Sequence, residues 1–145
     1  MEYSPLIAPI VALVAWSLVM MLWMAATRLP AMKKAGISLN RRGGRGANLE
    51  GVIPDEINWK GHNYQHLMEQ PTIFYAIVFA LILIGADDGI NVTLAWAYAV
   101  LRIVHSLVQA TVNIVLYRFS LFLLSSLCLL GLTIHAAAHV FRLSH

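Results

Sequence analysis

The chain is built of long apolar blocks separated by short polar breaks and one long polar stretch. From Leu6 to Ala26 no charge occurs over about 21 residues. At helical rise that is roughly 31 Å, the thickness of a bilayer core. A cleaved signal peptide fits this run badly, because Glu2 is acidic, no basic segment precedes it and the run is long. A retained transmembrane helix is expected. The second apolar run, Thr72 to Ala86, is short for a span. Its helix is therefore predicted to begin near Ile57, after Pro54 and Asp55, and to carry His62, His66 and Glu69 toward the membrane. Pro71 should kink it or stand beside a break. A short turn around Asp87-Asp88-Gly89 makes the second and third helices antiparallel neighbours. The third run, Val92 to Leu116, is interrupted by Arg102, His105, Gln109 and Asn113, and the fourth runs from Phe119 to Phe141. The pattern predicts an all-α, integral membrane four-helix bundle in a single domain, 1–145. Its spans lie near 6–27, 66–86, 91–112 and 118–141, with a long, partly mobile polar loop at 28–60.

Composition agrees with this reading. Of 145 residues, 59% are apolar and 12% charged, against about 25% charged in an average soluble domain. Collagen-like, disordered and disulfide-framework proteins are excluded, and Cys128, the single cysteine, reads as a small buried hydrophobe. The net charge of +3 suggests a nucleic-acid partner only until the charges are located. Seven of the ten Lys and Arg lie between the first two helices. That asymmetry is a topology signal: the loop faces the cytoplasm, Arg118 returns to that side, and both termini lie opposite. Attraction to anionic lipid is its other consequence. No nucleic-acid partner is expected.

Ionisable groups inside a membrane are costly, so each needs a partner or a task. Arg102, His105 and Gln109 are spaced i, i+3, i+7 and share a face of the third helix; His62, His66 and Glu69 are spaced i, i+4, i+7 and share a face of the second. The two faces should pack together, with Arg102 within reach of Glu69. One outcome is a buried ion pair. The other uses the surplus of cations, Arg28, Lys60, Arg102 and Arg118 around one carboxylate, to hold an anionic small molecule near the cytoplasmic face. His62-x-x-x-His66-x-x-Glu69 also has metal-ligand spacing, but it is common by chance in helices and no metal is expected. His135 and His139 read as interfacial histidines, and the aromatic residues as packing or interface residues, with Tyr117 a candidate for the ligand entrance. The sequon Asn91-Val92-Thr93 carries no weight.

The ordered set of a basic first loop, a polar second-helix start ending in Glu69 and Pro71, Arg102-Ile103-Val104-His105 in the third helix and Arg118 opening the fourth resembles the MAPEG family, the membrane-associated proteins in eicosanoid and glutathione metabolism. The resemblance covers nearly the whole chain and marks a divergent, bacterial-type member. It implies a homotrimer in the bacterial inner membrane, with glutathione bound between neighbouring subunits near the cytoplasmic face. It also implies transferase or peroxidase chemistry on lipophilic electrophiles arriving from the bilayer. By the same resemblance Glu69, Arg102 and His105 hold glutathione; His62, His66, Gln109 and Tyr117 are the further candidate ligand-binding residues, from their positions in the chain. Arg118 stabilises the thiolate, and Arg28 matches the basic residue ending the first helix. Three departures stand out: Gln65-His66 in place of the family's Arg-Asn pair, Gln109 in place of a frequent tyrosine, and Phe119 where some members have serine. They keep a second reading open, a non-catalytic membrane protein binding lipid headgroups or another anionic metabolite in the same pocket.

Overall fold

The structure, a computed structural model, describes residues 3–142. Helix α1 spans Ile7–Lys34, α2 Asp55–Leu67, α3 Gln70–Leu83, α4 Gly89–Ala110 and α5 Val115–Arg142, with a short 3-10 helix at Gly46–Leu49 in the first loop. Among the described residues, four helical stretches are long and apolar enough to cross a membrane, α2 and α3 together forming the second, Asp55–Leu83. The first loop lies at one end of the bundle, the loop end, and the α3–α4 turn at the other, the far end.

The element boundaries differ from the sequence reading in three places. Helix α1 continues past Arg28 to Lys34 with Pro30 inside it. Strong helix formers surround the proline, and Lys33 and Lys34 sit in the last turn, where cations suit the carbonyl end of the helix. The connection is thereby shortened to residues 35–54, and its second half is folded against α2. There Asn58 donates to the Leu49 carbonyl at 3.1 Å, and Leu49 and Ile53 are buried. Third, α4 stops at Ala110. Asn113 takes a left-handed φ of 52°, a conformation that asparagine tolerates, and its N–H returns to the Val108 carbonyl at 2.7 Å. Lys60 Nζ adds a hydrogen bond to the Ala110 carbonyl at 3.3 Å. Lys60 therefore caps α4 and takes no part in the cation cluster expected around Glu69.

Pro71 stands beside a break. Helix α2 ends at Leu67, Glu69 has φ −90° and ψ −99°, and α3 restarts at Gln70 with Pro71 in its first turn, where a missing N–H costs nothing. Thr72 covers the break by donating its hydroxyl to the Glu69 carbonyl at 2.6 Å.

Helix α4 is the centre of the bundle and packs on α1, α2 and α5, while α3 lies on α5 and α2 on α1. Its buried positions include Asn91, Ala95, Tyr98, Ala99, Arg102 and Ser106, at spacings of three and four. Small residues among them let neighbouring backbones approach closely, the usual means of helix association in lipid. One atom joins three helices: the Ser106 hydroxyl oxygen accepts from Trp16 Nε1 on α1 at 2.8 Å and from Asn63 Nδ2 on α2 at 2.6 Å. Outward positions such as Leu22, Phe79, Leu83 and Leu127 are apolar and exposed, as a lipid solvent requires.

The far end is closed by Asp88, whose carboxylate accepts from the N–H groups of Ile90 and Asn91 at 3.0 Å each, an N-cap for α4. Asn91 donates to the Ala86 carbonyl at 2.9 Å, and its own oxygen accepts from His135 Nδ1 at 2.8 Å. His135 thus joins α5 to α4, and the amide of the sequon is buried and engaged at both ends.

Replacing Ser106 by alanine should strand the Trp16 and Asn63 donors together. A cost of about 1–3 kcal/mol is expected, read as a melting temperature several degrees lower in detergent. An unchanged transition would show that the three-helix junction contributes nothing.

Candidate functional site

Helix α4 presents Tyr98, Arg102, His105 and Gln109 along one face, at i, i+4, i+7 and i+11. All four are buried, and Arg102 has no exposed surface at all. A guanidinium so placed must be solvated by protein. Arg102 Nη2 donates to the His66 carbonyl and to His66 Nδ1, both at 3.2 Å, and the guanidinium carbon stands 5.8 Å from the centre of the Phe122 ring. The His66 ring stacks on His105 with centroids 5.2 Å apart and planes at 12°.

The expected Glu69–Arg102 contact is absent. With Nδ1 of His66 accepting from Arg102, the proton of this ring lies on Nε2, which is 3.8 Å from Glu69 Oε2. The imidazole therefore stands between the two charges. The helix break is the physical reason: the non-helical backbone of Glu69 turns its carboxylate outward, where the side chain is 66% exposed.

On the far side of Arg102 a second polar chain ties α4 to α3 and α5. Tyr98 Oη donates to Gln70 Oε1 at 3.1 Å, and Gln70 Nε2 donates to Ser126 Oγ at 2.9 Å, while Phe74 stacks on Tyr98 at 4.2 Å. Neither Gln70, Ser126 nor Asn63 was singled out from the sequence. Tyr98 lies one turn before Arg102 on the same face, and that spacing was the available signal. Asn63 had none, since it sits among polar residues at a helix start.

A cavity of 310 Å³ opens in front of this arrangement, lined by His66, His105, Gln109, Arg118, Phe119 and Phe122, with Val115 at its edge. Two of its lining residues carry buried polar atoms without partners, Oε1 of Gln109 and Nε of Arg118; Arg102, which does not line it, has two more, Nε and Nη1. Arg118 reaches the cavity from the first turn of α5, whose N–H bonds to the Ile114 carbonyl at 3.1 Å. Tyr117, its neighbour in sequence, is exposed and does not line the cavity.

Two of the expected site residues lie elsewhere. Arg28 and His62 line a separate cavity of 370 Å³ together with Glu50, Tyr64 and Gln65. His62 is paired with Glu50 of the loop. Arg28 crosses from α1 to α2 over Gly61. A Cβ at Gly61 would fall 1.8 Å from its guanidinium, so the glycine is what lets Arg28 lie this close to α2. His62 and His66 thus serve different cavities although they are one turn apart. Among the described residues, no three His, Cys, Asp or Glu side chains converge in a way that would hold a metal.

The architecture and the polar face of α4 define the class: an all-helical integral membrane protein of four spans, with an open cavity bearing Arg118 between α2, α4 and α5. Residues 6–138 match the profile of the MAPEG family, nearly the whole chain, and the protein belongs to that family. No curated protein and no solved structure matches the chain.

His66→Phe keeps an aromatic ring over His105 but removes one acceptor from Arg102. It should cost about 1.5–3 kcal/mol in a wild-type background and markedly less with Arg102→Met already present, the sign of direct coupling. Equal costs in the two backgrounds, measured by denaturation in detergent, would refute the contact.

Proposed function

We propose that this MAPEG protein binds glutathione in the cavity beside Arg118 and transfers or reduces with it lipophilic electrophiles drawn from the bilayer. The observation that carries this reading is the 310 Å³ cavity lined by His66, His105, Gln109 and Arg118, with buried, unpartnered polar atoms on Gln109 and Arg118 and the buried Arg102 guanidinium behind His66 and Phe122. Fixed guanidiniums with free N–H groups favour an anionic guest, and arginine suits carboxylates through paired hydrogen bonds. Glutathione carries two carboxylates, an amine and a thiol. Its carboxylates suit the arginines, and the outward carboxylate of Glu69 suits its amine. Arg118 is placed to lower the thiol pKa, because a nearby cation favours the thiolate. The thiolate sulfur then bonds to the electrophilic carbon of the substrate, and the leaving group departs with the bonding pair. Phe119, Phe122 and Val115 give the electrophile an apolar approach.

A homotrimer completes this reading. Glu69 is exposed roughly 21 Å, at helical rise, from the far end of a 14-residue helix, and a bare carboxylate at membrane depth calls for cover. Glutathione lying between subunits would bring Arg28 and His62 of one copy toward Glu69 and Arg118 of the next. The loop end then faces the cytoplasm of a bacterial cell, by its excess of basic residues.

The second reading, a non-catalytic site for an anionic lipid headgroup, is favoured by Phe119 and Phe122, which make one wall of the cavity apolar.

Turnover of a chromogenic aryl halide with glutathione in detergent decides between them. The expected result is a rate above background that falls tenfold or more in Arg118→Ala. The acidic limb of the pH profile, where the thiol is still protonated, should also move to higher pH in that variant, since losing the cation raises the thiol pKa. No rate above background, together with no heat of glutathione binding at millimolar ligand, would leave the lipid reading. The assembly mass in detergent, expected to be three copies, tests the trimer independently.

A further inference from the structure

A cavity of 320 Å³ at the loop end lies apart from the one beside Arg118, between the end of α1 and the loop. Three of its lining residues are Arg28, Arg41 and Arg45, and no acidic side chain lines it. Arg41 and Arg45 are exposed, and among the described residues none of the three guanidiniums has a hydrogen-bond acceptor. The Nε of Arg28 is buried and unpartnered. Its guanidinium lies at the side of the cavity, 3.5 Å from where a Cβ on Gly46 would stand.

The loop between them is shaped by glycine. Gly43 and Gly44 have φ of 71° and 104°, conformations that L side chains rarely adopt, and a Cβ on either would meet open space. Their N–H groups, like the guanidiniums, donate to nothing among the described residues. Asn48 fixes the far side of the loop by accepting from the Arg45 N–H at 2.7 Å. The remaining wall is apolar, with Met32, Ile37, Leu39, Leu49 and Val52.

The geometry points to a site for a phosphate group, held by Arg41, Arg45 and Arg28 over an apolar wall. Guanidinium pairs bind phosphate oxygens bidentately, and free backbone N–H groups in a glycine turn add donors of the same kind. Two sources can supply that group: the phosphodiester of an anionic phospholipid, which the apolar wall and the adjacent membrane-crossing end of α1 suit, or free phosphate. Diffuse attraction of a basic loop to an anionic surface would treat all its cations alike. A built site does not, and Arg42 provides the contrast, because it belongs to the same loop but does not line the cavity.

The test uses the full-length protein in a neutral detergent with short-chain phosphatidylglycerol, short-chain phosphatidylcholine and inorganic phosphate as separate probes. Binding is read by native mass spectrometry and by the shift in melting temperature. Expected is a retained phosphatidylglycerol adduct that Arg41→Ala and Arg45→Ala each weaken tenfold or more, and that Arg42→Ala changes less than twofold. Both arginines are exposed, so their variants should melt as the parent does without ligand. Binding of phosphatidylglycerol without inorganic phosphate supports the site with lipid as its source. Equal or tighter binding of inorganic phosphate supports it with a soluble source. Lipid adducts that survive Arg41→Ala and Arg45→Ala, no adduct with any probe, or equal losses in Arg41→Ala and Arg42→Ala would overturn it.

Discussion

Arg102 is a permanent cation with no exposed surface in a bundle whose surroundings are hydrocarbon. An ion in that position is tolerated only if the protein supplies the solvation that water would give. Most of the polar features of the interior can be understood from this one requirement. The carbonyl and ring nitrogen of His66 face Arg102 from α2, and the Phe122 ring faces it from α5. His105 braces His66 by stacking, and the Tyr98–Gln70–Ser126 chain fixes the neighbouring turn of α4 to two other helices. Solvation is nonetheless incomplete, since Nε and Nη1 have no partner. Phe122 and His66, which touch Arg102, also form walls of the cavity, so they separate the guanidinium from it.

The electrostatic layout follows from the same geometry. A direct Glu69–Arg102 pair would have neutralised both charges and left the cavity with the field of Arg118 alone. Placing His66 between them keeps the carboxylate and the guanidinium apart, so each retains unsatisfied capacity for an outside group. The cavity is consequently basic on its inner side, while a carboxylate waits at the surface nearby. A ligand carrying both signs of charge fits such a layout better than a simple anion does.

Much of this was legible in the sequence, for reasons that differ from residue to residue. The spans were readable because lipid forbids charge over their length, and the polar face of α4 because helical spacing puts Arg102, His105 and Gln109 on one side. The break near Pro71 was readable from the proline itself. What escaped depended on backbone detail or on distant partners. The outward turn of Glu69 is a property of two dihedral angles at the break. His62 looked equivalent to His66 by periodicity, yet Glu50, twelve residues earlier in a loop, takes it to another cavity. The extension of α1 through Pro30 was hidden because the end of the apolar run at Arg28 marks where the bilayer stops and not where the helix does. Ser106 gave no sign that its single oxygen would join three helices.

The interruption between Leu67 and Gln70 divides one span into two rods, each with its own ladder of hydrogen bonds. Only turn hydrogen bonds cross the joint, among them Glu69 N–H to the His66 carbonyl and Thr72 N–H to the Glu69 carbonyl. The near rod is clamped to α4 through Asn63 and His66, and the far rod through Gln70 to α4 and α5. The histidine stack belongs to the near rod and α4 alone, so no residue of the far rod takes part in it. Glu69 sits at the joint itself, outside both helices. The protein thus mounts its outward carboxylate on the seam of a divided span and its inward cation on the unbroken α4.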